Sequence, residues 1–412
     1  MAITIEQNPQ EYSPVFNPMN FVCSSNNIAG NNYFFYLVKV KDSAGNVIYQ
    51  NRYIPRFSDQ YLLFDVQRAL ESYVSYDISG IAVGTTGVRR TSNVFKEYTV
   101  QFIEEIGASA SGVASGSSTT SSTKYAFNGA FSFNDFVSYD DADWLIATTG
   151  TKKFMTDLRG GNIRIKLGQR FELGIMTGAG ASEPVKNIVI KTYSYNGTLI
   201  GTYKIANSFS SGTTTDDKFL SVLVGTGDLN STTLTSGSQP VITDAVYTYT
   251  VQVENNSGTI VSETLTFEID YRCYGADEIR LYWLNTVGRI DSFNFNFASD
   301  ESIEVVKAAF RKLNGTMTGA AFGYTRYETG QTNFYTQVDK KIKVRTDYIN
   351  NIEAEWLQHF VSSPIHWAEI DGNLVSVVLD TKSYTIQTIE KNKLFSVEFD
   401  LMYANSDYRQ RL

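Results

Sequence analysis

The chain has 412 residues, 42% of them hydrophobic and only 19% charged, with a net charge of −8. That length and apolar share suit two or three folded domains, and an acidic chain without a basic stripe lacks the term that dominates binding to nucleic-acid backbones. Two cysteines and two histidines exclude a disulfide scaffold and leave few ways to build a zinc site or a histidine-dependent triad.

From the N-terminus, MAITIEQNPQEYSPVF lacks a charged segment leading into an apolar one, so no signal peptide is expected. No stretch approaches eighteen consecutive apolar residues, so no transmembrane helix is expected either. SPVFNPMNFVCSS reads as an opening strand broken by Pro14 and Pro18, followed by strands in YFFYLVKVK and NVIYQNRYI. Between the last two lies the first of three copies of one hairpin signature. VKVKDSAGNVIYQ, IKTYSYNGTLIGTY and VQVENNSGTIVSET each run from alternation through a polar cluster and a glycine into alternation again. Gly45, Gly197 and Gly258 would supply the positive φ of a short hairpin loop. LLFDVQRALESYVSY carries Leu63, Val66, Leu70 and Tyr73 or Val74 at helical spacing, which predicts a core-facing helix. YTVQFIEEI closes a first module over residues 1–106.

Residues 107–123, GASASGVASGSSTTSST, are uncharged and of low complexity, and read as a long loop or a linker. Residues 124–270 form a second β-sandwich-like region holding two of the three hairpin signatures. From 271 the character shifts to a C-terminal α+β domain. DEIRLYWLNTVGRIDSFNFNF predicts a strongly apolar strand, a turn near Gly288 and an alternating strand, whereas ESIEVVKAAFRKL fits a helix or a strand. NNIEAEWLQHF is a helix capped by Asn350 or Asn351, with Ile352, Trp356 and Phe360 in one stripe, and Ser363-Pro364 stops it. NLVSVVLD, SYTIQTIE and LFSVEFDLMYA supply the last strands. The expected fold is mainly β: two immunoglobulin-like or β-sandwich modules followed by a β-rich α+β domain.

Chemistry-bearing residues are sparse. His359 and His366 have no third ligand near them, and Asp140, Asp141 and Asp143 lack the spacing of a calcium loop, so both groups read as packing or solvated turns. Glu104 and Glu105 adjoin on a strand and face opposite sides, which prevents cooperation as an acid–base pair. Lys340, Lys341, Lys343 and Arg345 read as the solvated face of a strand, and Cys23 and Cys273 as small buried thiols. No catalytic, cofactor or metal residue is assigned, and no enzyme is expected. Tyr33, Phe35 and Leu37, and likewise Phe293, Phe295 and Phe297, lie on one face of a strand. Sheet core is the default for such sets. The sharper alternative makes Phe293, Phe295, Phe297, Trp283 and Trp356 a candidate interface with other subunits.

The segments SPVFNPMNFVCSSNN…YFFYLVKV, LLFDVQRALESYV, YAFNGAFSFNDF, RLYWLNTVGRIDSFNF and EAEWLQHFVSSP together resemble β-rich structural proteins of tailed bacteriophages, especially crAss-like and other phages of Bacteroidota. The resemblance implies a virion component of the tail, tail tip, or a neck or baseplate ring, made in a bacterial host cytoplasm. Its expected partners are copies of itself and other virion proteins, without nucleic acid, membrane insertion or cofactor. The alternative from a different class is a carbohydrate- or receptor-binding protein, a fibre component or an adhesin that takes a host-surface glycan.

Overall fold

The computed structural model describes the chain except residues 1–2, 30, 32, 57, 85, 92, 108, 110–112, 148, 179–183, 210–214, 275–277, 328–329, 382–395 and 409–412. The expected strand SYTIQTIE lies outside the described residues. The fold is mainly β, with several sheets in sandwich-like arrangements. The chain divides into two compact units, one of Met1–Tyr271 with Leu284–Asp291 and one of Arg272–Trp283 with Ser292–Leu412.

In the first unit, Ile3–Gln7, Asn20–Ser25 and Leu62–Asp65 form a three-stranded sheet. A six-stranded sheet runs Tyr12–Pro14, Lys124–Phe127, Phe95–Gly107, Tyr33–Asp42, Val47–Tyr53, with Val113–Thr120 also on Phe95–Gly107. The two sheets enclose one core in which Phe21, Cys23 and Phe64 meet Tyr36, Val38, Val100 and Phe102. A third sheet orders Leu145–Ile146, Glu172–Thr177, Phe219–Leu223 and Val88–Arg90. A fourth runs Asn162–Ile165, Leu265–Ile269, Thr248–Glu254, Asn187–Tyr193, Leu199–Ala206. Phe171 meets Phe267 edge-on at 5.2 Å, and Phe267 stacks on Tyr249 at 4.8 Å.

Several expectations change. Within residues 107–123, expected as loop or linker, Val113–Thr120 is a strand that pairs antiparallel with Phe95–Gly107, and Lys124–Phe127 pairs further along the same strand. Ser and Thr tolerate an extended backbone, and the ladder supplies the partners that composition alone does not reveal. The modules 1–106 and 124–270 are not separate, because Val88–Arg90 pairs with Phe219–Leu223 and Tyr12–Pro14 pairs in parallel with Lys124–Phe127. The expected helix at 62–76 begins as the strand Leu62–Asp65, and only Gln67–Leu70 is α-helical. Leu63 is accordingly exposed, while Val66 and Leu70 remain in the core. In Tyr33–Asp42 the core face is Phe34, Tyr36, Val38 and Val40 rather than Tyr33 and Phe35, an ambiguity inherent in a strand apolar on both faces. Gly45, Gly197 and Gly258 do carry positive φ, at 83°, 75° and 79°.

The second unit is built on one long sheet ordered Ile290–Phe295, Ile279–Leu284, His366–Ile370, Asn373–Leu379, Glu398–Tyr403, Gln331–Arg345, Phe297–Arg311. ESIEVVKAAFR resolves as strand, inside Phe297–Arg311. The helix Asn351–Ser362 is closed at its start by reciprocal bonds between Asn350 and Glu353. It buries Trp356 and Phe360 and leaves Ile352 partly exposed.

One buried ionic cluster ties distant segments of the first unit. Glu172, 1% exposed at its side chain, accepts from Arg289, itself 2% exposed, and from Arg89 at 3.1 Å. Arg89 also donates to Asp77 at 2.8 Å. Space for Arg289 depends on Gly174, where a Cβ would lie 2.6 Å from the Arg289 Cγ.

Removing one charge from a buried set strands its partners. Glu172→Gln is expected to cost about 3–5 kcal/mol in urea unfolding, because two buried guanidiniums lose their shared counter-charge. Gly174→Ala is expected to destabilise in the same direction. Burial raises the Asp77 pKa, but hydrogen bonds from Ser79 and Arg89 outweigh it and hold the carboxyl at about 2. Since the folded pKa is depressed, the stabilisation is complete above about pH 4 and is lost as pH falls towards 2. Unfolding midpoints across that window should show the loss, about 2 kcal/mol, and Asp77→Asn should flatten it.

Candidate interaction surface

The aromatic residues singled out from the sequence form the centre of the second unit. Trp283 packs on Trp356 at 5.4 Å and on Phe360 at 5.5 Å. Phe293 meets Trp356 at 5.9 Å, and Phe295 meets Phe399 at 5.8 Å. Of the candidate set, Trp283, Trp356, Phe293 and Phe295 are buried, so these positions are core rather than interface, as a correction to the sharper reading. The other face of the same strand is also buried but polar, with Arg280 donating to Asn294 and Ser292, both at 2.7 Å. Phe297 alone is half-buried, between Tyr274 and the Arg345 guanidinium.

The remaining candidates serve the fold. Asp141 accepts from the Tyr12 backbone at 3.0 Å, Asp140 caps Ala142, and Asp143 pairs with Lys153 at 2.7 Å. Glu104 accepts from Ser25 and Asn27, whereas Glu105 on the opposite face pairs with Arg52. Burial lowers the His366 pKa, and its ring nitrogen sits 2.7 Å from the Phe360 carbonyl. Cys23 is buried but Cys273 is exposed, against the expectation for the latter. Lys340, Lys341 and Lys343 face Asp407, Glu304 and Glu398 at 3.6, 3.1 and 2.6 Å. That basic run is largely neutralised within its own unit. Among the described residues no three His, Cys, Asp or Glu side chains are placed to hold a metal, and no helix is long and apolar enough to cross a membrane.

The feature that sequence reasoning missed is an arm. Phe297–Arg311 and Gln331–Arg345 pair antiparallel along their whole length, and a small two-stranded tip joins Thr316–Thr318 to Ala321–Gly323. Fifteen residues per strand span roughly 50 Å when extended. Among the described residues, Glu398–Tyr403 and Asp407–Tyr408 flank the inner strand as far out as Gln337, and beyond that point the arm is a two-stranded ribbon. Its apolar side chains are exposed on both faces: Ile303, Val305, Val306 and Phe310 on the outer strand, and Leu313, Met317, Tyr324 and Tyr327 towards the tip. The last two are 76% and 85% exposed. A two-stranded ribbon is marginally stable in water by itself, and these side chains leave it with apolar groups in solvent. The sequence did hold a signal: two alternating runs of equal length flank a stretch with glycines at 315, 319, 323 and 330. Its outer run, however, also fitted a helix.

No model of a known protein family matches the chain, and no curated protein matches it. Among solved structures it is similar to trypsin-activated alpha-2-macroglobulin from Escherichia coli, at 8% identity and a TM-score of 0.20, over 97% of this chain and 23% of that one. It is similar also to the FN1–FN3 domains of chicken CNTN1, at 10% identity and 0.19, over 83% of this chain and 91% of that one. Latent PorU from Porphyromonas gingivalis gives 9% identity and 0.18, over 83% and 32%. The chain thus spans less than a quarter of the alpha-2-macroglobulin it matches. Scores in this range define no shared fold, and the assignment of a mainly β architecture rests on the sheets themselves.

Two changes distinguish the core from the arm. Trp356→Ala should destabilise the second unit by about 3–5 kcal/mol through the cavity it leaves. Replacing residues 312–330 by an Asn-Gly turn should leave near-ultraviolet circular dichroism and the thermal midpoint close to those of the parent, because the described residues of that segment lie outside the buried core.

Proposed function

We propose that this chain is a structural subunit of a tailed-phage virion, in the tail, tail tip or a neck or baseplate ring, and that it works through protein–protein contacts rather than chemistry. The observation that carries the reading is the arm, whose apolar faces are stabilised only when another surface covers them. The sequence resemblance to β-rich virion proteins supplies the context, and the mainly β architecture is compatible with it. On this reading the partners are copies of the chain and neighbouring virion proteins, and the place of action is the particle.

The test is immunoelectron microscopy of particles from the source culture with antibody raised to the recombinant chain. Label at the neck or tail is expected. Particles that stay unlabelled even after mild disruption would overturn the proposal.

A second reading has one observation in its favour. Exposed Tyr324 and Tyr327 at the arm tip, with Phe322 set edge-on to Tyr324 at 5.2 Å, offer aromatic faces to a saccharide. On that reading, host-surface glycans quench Tyr fluorescence in the parent, and Tyr324→Ala with Tyr327→Ala abolishes the response. An unchanged signal across a glycan panel would exclude it.

A further inference from the structure

The strand Phe297–Arg311 stands last in the order of its sheet, so among the described residues its outer row of backbone N–H and C=O groups pairs with no strand. Native edges of this length are normally short, bulged or covered, because an open one templates pairing with another chain. This edge is regular from residue 300 to Arg311: the outer strand's irregularity falls at Ala298/Asp300, and the other break in register, near Ala308/Ala309, sets the extra residue on the inner strand. Its charges are polarised, with Glu301 and Glu304 in the first part and Lys307 and Arg311 in the second. A strand charged in that order is complementary to itself run backwards.

We propose that the outer strand pairs antiparallel with the same strand of a second copy, about a two-fold axis at Val306. This deepens the assembly reading above and rests on it. The register follows from symmetry and charge. A two-fold axis perpendicular to a two-strand ladder places one residue opposite its own copy. Centring on Glu304 sets Glu301 against Lys307 twice but puts two Glu304 carboxylates face to face on the axis, and centring on Lys307 puts two ammonium groups face to face with no opposite pair to offset them. Centring on Val305 opposes no charge to its opposite. Centring on Val306 sets Glu301 against Arg311 twice, Ile303 against Ala309 and Val306 against itself, with no like charges directly opposed. The contact is isologous and therefore closed, so it covers both edges without building an open polymer.

The test uses the full chain carrying Cys273→Ser, which removes the exposed native thiol. Directly opposed residues bring their Cβ atoms to about 4.5–5.5 Å, within reach of a disulfide after slight adjustment. Val306→Cys is therefore expected to give covalent dimers on mild oxidation, and Ile303→Cys, whose copies lie several residues apart, is not. In sedimentation, Glu301→Arg or Arg311→Glu should each weaken the dimer about tenfold, since two symmetric pairs turn repulsive together. The double exchange should restore it. A chain that sediments as a monomer at every accessible concentration, or dimers that cross-link equally at residues 303 and 306, would overturn the pairing. Failure here is distinguishable from failure of the assembly reading. A monomeric chain that still labels virions overturns only the self-pairing, whereas a Val306-selective dimer absent from every particle supports it and overturns the virion assignment.

Discussion

Much of the first unit depends on one carboxylate. Glu172 lies at the start of a central strand, yet it receives Arg89 from the edge strand Val88–Arg90 and Arg289 from the segment Leu284–Asp291. Three stretches separated by more than eighty residues each are thereby tied to one buried point. A buried carboxylate is tolerated only when its counter-charges are fixed in place, and here two guanidiniums from distant segments meet that requirement. The neighbouring glycines fit this role: at Gly80 and Gly174 an added Cβ would strike Arg89 and Arg289. Asp157 reinforces the same segment by accepting from Thr286, at 2.8 Å from its backbone N–H.

Around this cluster the first unit shares strands between stretches that the sequence separates. Phe95–Gly107 carries Tyr33–Asp42 on one side and both Val113–Thr120 and Lys124–Phe127 on the other. A run of small polar residues thus completes a sheet instead of spacing two. The physical requirement is that backbone donors and acceptors beside a buried strand be paired, and a run of Ser and Thr satisfies it as well as any other. Nothing in the composition of residues 107–123 distinguishes a strand held by its neighbour from a free loop.

The second unit divides its work between a packed base and a bare arm. Trp283, Trp356, Phe295 and Phe360 fill the space between the sheet and the helix Asn351–Ser362. On the outer strand of the arm, apolar residues alternate with Glu304 and Lys307 and stay exposed, and among the described residues no strand pairs with its outer edge. The inner strand buries Val338, Ile342 and Val344 against its neighbours, whereas the outer strand stays largely exposed from Glu301 to Arg311.

Local rules carried the sequence reading a long way. The three hairpins needed only alternation and a glycine of positive φ, and a helix beginning at Asn350 or Asn351 with Glu353 in its first turn was legible, the structure choosing Asn350 as the cap through reciprocal bonds with Glu353. The mainly β class followed from the same short-range patterns. What required the tertiary structure were choices that local pattern leaves degenerate. Phe34 and Phe35 are equally apolar, and only the facing sheet decides that Phe34 is buried. Leu62–Asp65 scans as a helix turn until Asn20–Ser25 offers it a ladder. Phe293 and Val306 are both apolar strand residues, one enclosed in a core and the other on an open edge. Burial is a property of what lies across the gap, often hundreds of residues away in the chain, and periodicity alone does not contain it.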